Sequence, residues 1–135
     1  MMPKIKKYRL RLNTEIIGFA DKTPHGFKFR GKPLWWKQGK PTYSEIDEFT
    51  TFKDINQQEI YELDIVTYTL DEQKRHGVIL WEDKSKVFGI YDIENRMFIP
   101  LTIEELYLFQ NDSVRVVSYL FKHPEIKKKI GLNNL

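Results

Sequence analysis

Cysteine is absent from the 135 residues, which excludes disulfides and thiolate metal sites and suits a reducing cytoplasm. No apolar run approaches the roughly 18 residues that would span a bilayer, and the charged N-terminus lacks the apolar core of a signal peptide. The expectation is a soluble, cytoplasmic protein with no membrane attachment. Histidine is scarce, and His25, His76 and His123 stand far apart without metal-ligand spacing. Ser44, Ser85, Ser113 and Ser118 lack a nucleophile-elbow setting. No internal repeat or low-complexity tract is present. These absences leave no catalytic triad, so the chain is expected to be no enzyme and to carry no cofactor or metal.

What is present is a foldable composition. Hydrophobic residues make up 41% and aromatics 14% of the chain, too many for disorder. The length suits one domain, with room for a small appended part. Net charge is only +3, but it is strongly segregated. Residues 1–40 hold 11 Lys/Arg against Glu15 and Asp21, a net of +9. Residues 41–110 hold 15 acids against 6 bases, a net of −9, and the last 25 residues return to +3. Such asymmetry points either to a charged partner or to complementarity within the fold or an oligomer.

Periodicity reads as β structure nearly throughout. Lys7 to Leu12 alternates charged and apolar residues, which predicts a half-buried strand with Tyr8, Leu10 and Leu12 inward. Ile16–Ala20 and Phe27–Arg30 are further strand segments, and Leu34-Trp35-Trp36 is a short aromatic piece between Gly/Pro breaks. A linker is expected around Thr42 to Asp47, where the charge sign flips. Beyond it, strands are expected at Glu48–Lys53, Ile65–Tyr68, Gly77–Trp81, Val87–Tyr91, Met97–Ile99 and Val114–Leu120. Asp54-Ile55-Asn56 supplies Asx-turn chemistry, and Gly89 marks a bulge or a close backbone approach. Thr102-Ile103-Glu104-Glu105 reads as a capping box, predicting a short helix to about Phe109. His123-Pro124-Glu125-Ile126 begins a basic tail with one helical turn. The organisation expected is a basic β segment over 1–47 packed on the core, a small barrel or roll over 48–121, and a tail over 122–135. Short strands need closure to hide their edges.

The stretch from Phe52 to Val66 carries a further signal. Lys53-Asp54, Glu59-Ile60-Tyr61-Glu62, Asp64-Ile65-Val66, Gly77-Val78, Trp81, Phe88-Gly89 and Pro124-Glu125-Ile126 occur in order. They resemble the YopX-like pattern of Leu-Lys-Asp, Glu-Ile-Tyr-Glu-Gly-Asp-Ile-Val, Gly-Val-Val-Glu-Trp, Phe-Gly and Asn-Pro-Glu-Leu, across about residues 49–126. That family consists of small phage and prophage proteins of Gram-positive bacteria. The resemblance implies an SH3-like β-roll and carries no established biochemical activity. Thr51, Gln57 and Leu63 stand where the family commonly has glycine. Losing glycine disfavours positive φ, so local differences are expected in those turns.

Three other motifs bear on chemistry. Gly26 to Lys32 has the spacing of a phosphate-binding loop, but Pro33 removes an amide and replaces the magnesium-binding hydroxyl. Asp54, Glu59, Glu62 and Asp64 could hold a hard metal, yet no histidine is near and acid-rich turns are ordinarily solvated surface. Glu62-Leu63-Asp64 is the alternative case, capping the strand through backbone amides. Lys7, Arg9 and Arg11 share one strand face at about 6.6–6.8 Å spacing, and Lys28, Arg30 and Lys37 interleave with aromatic residues. A basic surface of this kind suits weak, sequence-independent nucleic-acid binding, while the acidic middle would repel phosphates. The favoured reading is a non-enzymatic protein–protein interaction or self-assembling module, a homo-oligomer or the partner of a phage or host protein. Trp35 and Trp36 are its candidate anchors.

Overall fold

The computed structural model describes residues 6–31, 36–37, 40–104, 106–109 and 113–131. The chain divides into two compact units, Met1–Thr51 and Phe52–Leu135. In the first, alternating sequence gives β1 (Lys6–Leu12), β2 (Glu15–Thr23) and β3 (Gly26–Gly31). A two-residue ribbon, β4 (Trp36–Lys37) with β5 (Lys40–Pro41), precedes β6 (Glu45–Lys53), which runs through the division between units. The sheet is antiparallel with strand order β3-β2-β1-β6. Leu10, Ile17 and Ala20 form its small apolar core, flanked by Leu12 and Phe29. The linker expected at Thr42 to Asp47 is occupied from Glu45 onward by β6. Arg11 O accepts from Ser44 N at 2.8 Å there.

In the second unit, β7 (Glu59–Tyr61), β8 (Asp64–Leu70), β9 (Gln73–Glu82), β10 (Val87–Asp92) and β11 (Phe98–Pro100) follow one another along the chain. They lead to a small ribbon, β12 (Thr102–Ile103) with β13 (Leu106–Tyr107), then β14 (Arg115–Tyr119) and helix α1 (Pro124–Lys129). The main sheet is antiparallel with order β11-β10-β9-β8-β14. Period-two alternation sends Val66 and Tyr68 of β8 to one face, where Ile60, Ile79, Ile90, Leu101, Phe109 and Val114 join them. Ile65 and Val78 point to the other face, covered by Leu120 and, from α1 and its flank, Ile126 and Ile130. Each fully buried aliphatic side chain of these cores contributes about 1.5–3 kcal/mol.

The fold is mainly β, as the periodicity implied, but no barrel closes among the described residues. The edges are blunted in other ways. β11 is three residues long and ends in Pro100, and β14 carries a bulge between Val116 and Ser118. Short length, proline and bulges all discourage edge pairing without closure. Gly89 marks a close approach rather than a bulge, because its register with Pro100 is regular. A Cβ there would run into the Phe98 ring and lie 2.6 Å from Ile99 O.

The helix expected over Thr102–Phe109 is not formed. Glu104, at φ 52°, turns the chain, Ile103 pairs with Leu106, and Leu108 N donates to Leu101 O at 2.8 Å. The reason is visible in the spacing of the inward residues. Tyr107 packs against the core to which Phe109 belongs, and residues two apart share a face in a strand but not in a helix. The capping box is a local signal that this packing overrides. The helical turn expected near Pro124 is present as α1.

The three turns without glycine keep the backbone that glycine would favour. Thr51, Gln57 and Leu63 have φ of 76°, 63° and 73°, so these residues adopt positive φ despite the missing glycine. A left-handed conformation costs an L-residue about 1–2 kcal/mol, and for β-branched Thr51 it is a genuine outlier. Thr51 and Gln57 are exposed, so little packing offsets the strain. Thr51→Gly is therefore expected to stabilise the protein by about 0.5–1 kcal/mol after the entropy cost of glycine. The measurement is a urea midpoint at unchanged m-value, and a lower midpoint would refute the strain argument. Leu63 differs because its side chain belongs to the second core, so glycine there would forfeit burial.

Candidate functional site

The basic face expected on β1 forms as a face but is largely spent. Register places Lys7 opposite Asp21 and Asp21 opposite Lys28, and it places Arg9 opposite Phe19 and Phe19 opposite Arg30. Five of the six candidate cations thus lie on one side of one sheet. Arg9 and Arg11, however, are only 2% and 7% exposed, beside Asp47 at 1%. Arg9 Nε and Arg11 Nε donate to Asp47 Oδ2 at 2.8 and 2.9 Å, and Arg11 Nη2 donates to Oδ1 at 2.9 Å. The expected half-buried strand is covered on both faces at this point. Arg30 pairs with Asp21 at 3.3 Å and stacks over Phe19 at 5.1 Å. Lys7 sits over the Phe49 ring at 5.5 Å, and Lys28 remains exposed. Interleaved acids Asp21 and Asp47 neutralise what alternation alone presented as a uniform cationic stripe.

Of the remaining candidates, Trp35 and the side chain of Lys37 lie outside the described residues. Trp36 is half-buried, and its indole Nε1 is buried with no hydrogen-bond partner among the described residues. A buried donor of this kind carries a desolvation cost.

The four carboxylates near the family signature do not converge. Asp54 and Asp64 are fully buried rather than solvated. Asp54 Oδ1 accepts from Asn56 N at 2.8 Å and Gln58 N at 3.0 Å, and its Oδ2 accepts from Val116 N at 2.9 Å. Asp64 Oδ2 accepts from Tyr61 N at 2.8 Å, the capping role open to it in the sequence. Glu59 accepts from the Tyr61 hydroxyl at 3.0 Å. Among the described residues no three His, Cys, Asp or Glu side chains cluster to hold a metal.

A further buried carboxylate, Asp92, is anchored by the same Asx chemistry in its own turn. Its Oδ1 accepts from Glu94 N at 3.0 Å and Asn95 N at 2.8 Å, while Oδ2 accepts from the Tyr68 hydroxyl. Burial would raise its carboxyl, but these donors outweigh that and hold it below the usual carboxylate range. Burial and the adjacent Asp92 charge push the Tyr68 phenol upward. Tyr107 is pushed up to about 12 by burial and then by Asp54. Its hydroxyl has no hydrogen-bond partner among the described residues, and its ring stacks on Phe52 at 4.2 Å.

A further feature, which the helix expected over Thr102–Phe109 would not produce, stands on the β12–β13 ribbon. Tyr107 packs inward beside Phe109, so their sequence neighbours Leu106 and Leu108 face outward, and Ile103 sits directly opposite Leu106. The outward residues are 53% (Ile103), 71% (Leu106) and 45% (Leu108) exposed. Three large aliphatic side chains are thus exposed along one side of the ribbon and its exit, an arrangement from which a docking surface can be built. The signal in the sequence was the alternation Leu106-Tyr107-Leu108-Phe109, which a helical reading conceals.

Comparison with known families matches the YopX protein family over residues 14–126. The comparison with curated proteins finds no match.

Proposed function

Since the chain belongs to the YopX protein family, we propose that it acts as a phage-type accessory protein whose work is docking rather than chemistry, beginning with a second copy of itself. The observation that carries this reading is the apolar side of the β12–β13 ribbon, with Leu106 at its tip. The buried carboxylates support it from the other direction. Asp54, Asp64 and Asp92 each accept from at least one backbone amide, so they serve turns and strand ends. Charge favours a second copy as the occupant. Residues 1–51 hold 11 bases against 5 acids, a net of +6, and residues 52–135 hold 11 bases against 14 acids, a net of −3. The acidic unit of one copy can therefore attract the basic unit of another, while the apolar ribbon supplies the desolvated contact.

Light scattering at micromolar concentration is expected to report a species heavier than the 16.2 kDa chain. Leu106→Lys should weaken the assembly about 30-fold or more, the effect of losing a central anchor worth about 2 kcal/mol. Raising salt toward about 1 M, where the screening length falls to ~3 Å, should weaken it further. A single 16.2 kDa species at low and high salt alike would sink the proposal. Nucleic-acid binding is the weaker reading, because Arg9, Arg11 and Arg30 are already engaged by aspartates.

A further inference from the structure

The face of the main sheet that carries Ile65 and Val78 is only partly covered by the C-terminal segment. Further along the same strands it becomes polar and cationic. Thr67 of β8 stands opposite Arg115 of β14, and Thr69 stands opposite Lys74 of β9. Alternation keeps Thr67 and Thr69 on the side of Ile65, so these two threonines share that side with Arg115 and Lys74, which approach them from opposite flanks. Together with Ser113 and Ile55 they line a cleft of about 170 Å³. Neither Lys74 nor Arg115 has an acidic partner among the described residues. His76, opposite Thr67 on its other side, adds a third nitrogen base to the same face.

We propose that this cleft binds an oxyanion of the phosphate class, as the free ion or as a monoester. Two cations without an acidic partner among the described residues, on either side of a pair of hydroxyls, satisfy what such a group needs. The planar guanidinium of Arg115 can engage two oxygens at once, and Lys74 supplies a compact charge from the other flank. Thr67 and Thr69 add neutral donors between them. The volume accommodates a phosphate group and part of an attached moiety. This site is separate from the apolar ribbon and does not depend on the docking role.

The test is a backbone amide NMR titration of the full chain with inorganic phosphate and, separately, with a nucleoside monophosphate, each to about 10 mM against chloride at matched ionic strength. Shifts are expected at Thr67, Thr69, Ser113 and Arg115. The double change Lys74→Gln with Arg115→Gln should weaken binding about tenfold or more, since it removes both charge-assisted contacts. Both side chains are exposed, so a retained spectrum shows that the variant is folded. Equal affinity for the two ligands identifies the phosphate group alone as the determinant, and tighter binding of the nucleotide assigns the site to a monoester. Absence of binding by both, or binding indifferent to the double change, overturns the assignment.

Discussion

Replacing Asp47 with alanine is expected to destabilise the first unit by about 3–5 kcal/mol, because it removes the carboxylate that takes three hydrogen bonds from two buried arginines. Asp47 accepts three hydrogen bonds from Arg9 and Arg11, which lie 38 and 36 residues away in the chain. All three side chains are withdrawn from water. A loss of that size is a large fraction of the roughly 5–15 kcal/mol that holds a typical domain together. Urea denaturation should show the midpoint falling steeply at constant m-value. Asp47→Asn retains one acceptor oxygen and should fall between. The informative control replaces the whole cluster at once, with Arg9→Met, Arg11→Met and Asp47→Leu. Removing every charge is expected to cost less than removing the carboxylate alone. A single Asp47→Ala change within about 1 kcal/mol of the parent would mean that the cluster is not a closed ionic unit.

The second large effect is expected at Asp54. Its carboxylate holds the amides of Asn56 and Gln58 in the turn and the amide of Val116 across 62 residues. Ile55 N reinforces the same junction by donating to Val114 O at 2.9 Å. Hydrogen bonds to a charged group are worth about 1.5–3 kcal/mol each. The turn amides can recover water when the carboxylate is lost, so Asp54→Ala should cost on the order of 3–5 kcal/mol rather than the full sum. Hydrogen exchange gives the specific readout, since the Val116 amide should lose protection more than the amides of β9. The Tyr107 phenol should also move down from about 12, because Asp54 is one of the two causes of its elevation. Unchanged exchange at Val116 would show that β14 is held by its pairing with β8 alone.

The two aspartates illustrate how far the sequence reaches. Asp54 was legible as a turn former because Asx chemistry is local, acting two to four residues along the chain. Its hold on Val116 was not legible, since nothing in the turn names a partner in β14. The alternation at Lys7 to Leu12 correctly placed Arg9 and Arg11 on one side of a strand. Alternation states which residues share a side, not what covers that side, and Asp47 lies too far along the chain to be paired with them by pattern. The same limit explains the ribbon. Four residues of good capping chemistry at Thr102 pointed to a helix, while the inward packing of Tyr107 with Phe109 required a strand. The positive φ angles at Thr51, Gln57 and Leu63 are a different case. There the backbone is one that the local residues disfavour, and the pointer to it in the sequence was the glycine that the resembled family commonly has at those positions.

The position of β8 also bears on the order in which the chain can fold as it is made. Thr67 pairs with His76 only nine positions later on one side, but with Arg115 on the other, 48 positions later. Closing the longer loop costs about 1.5 kcal/mol more in chain entropy, so the β8–β9 hairpin forms well ahead of the β8–β14 pairing. At about 5–20 residues per second, the 37 residues from Glu82 to Tyr119 take roughly 2–7 s to synthesise. Throughout that interval one edge of β8, from Asp64 to Leu70, presents unpaired backbone groups to any neighbouring strand. A nascent chain is thus open to wrong pairing along a strand that the finished protein buries from Asp64 to Tyr68.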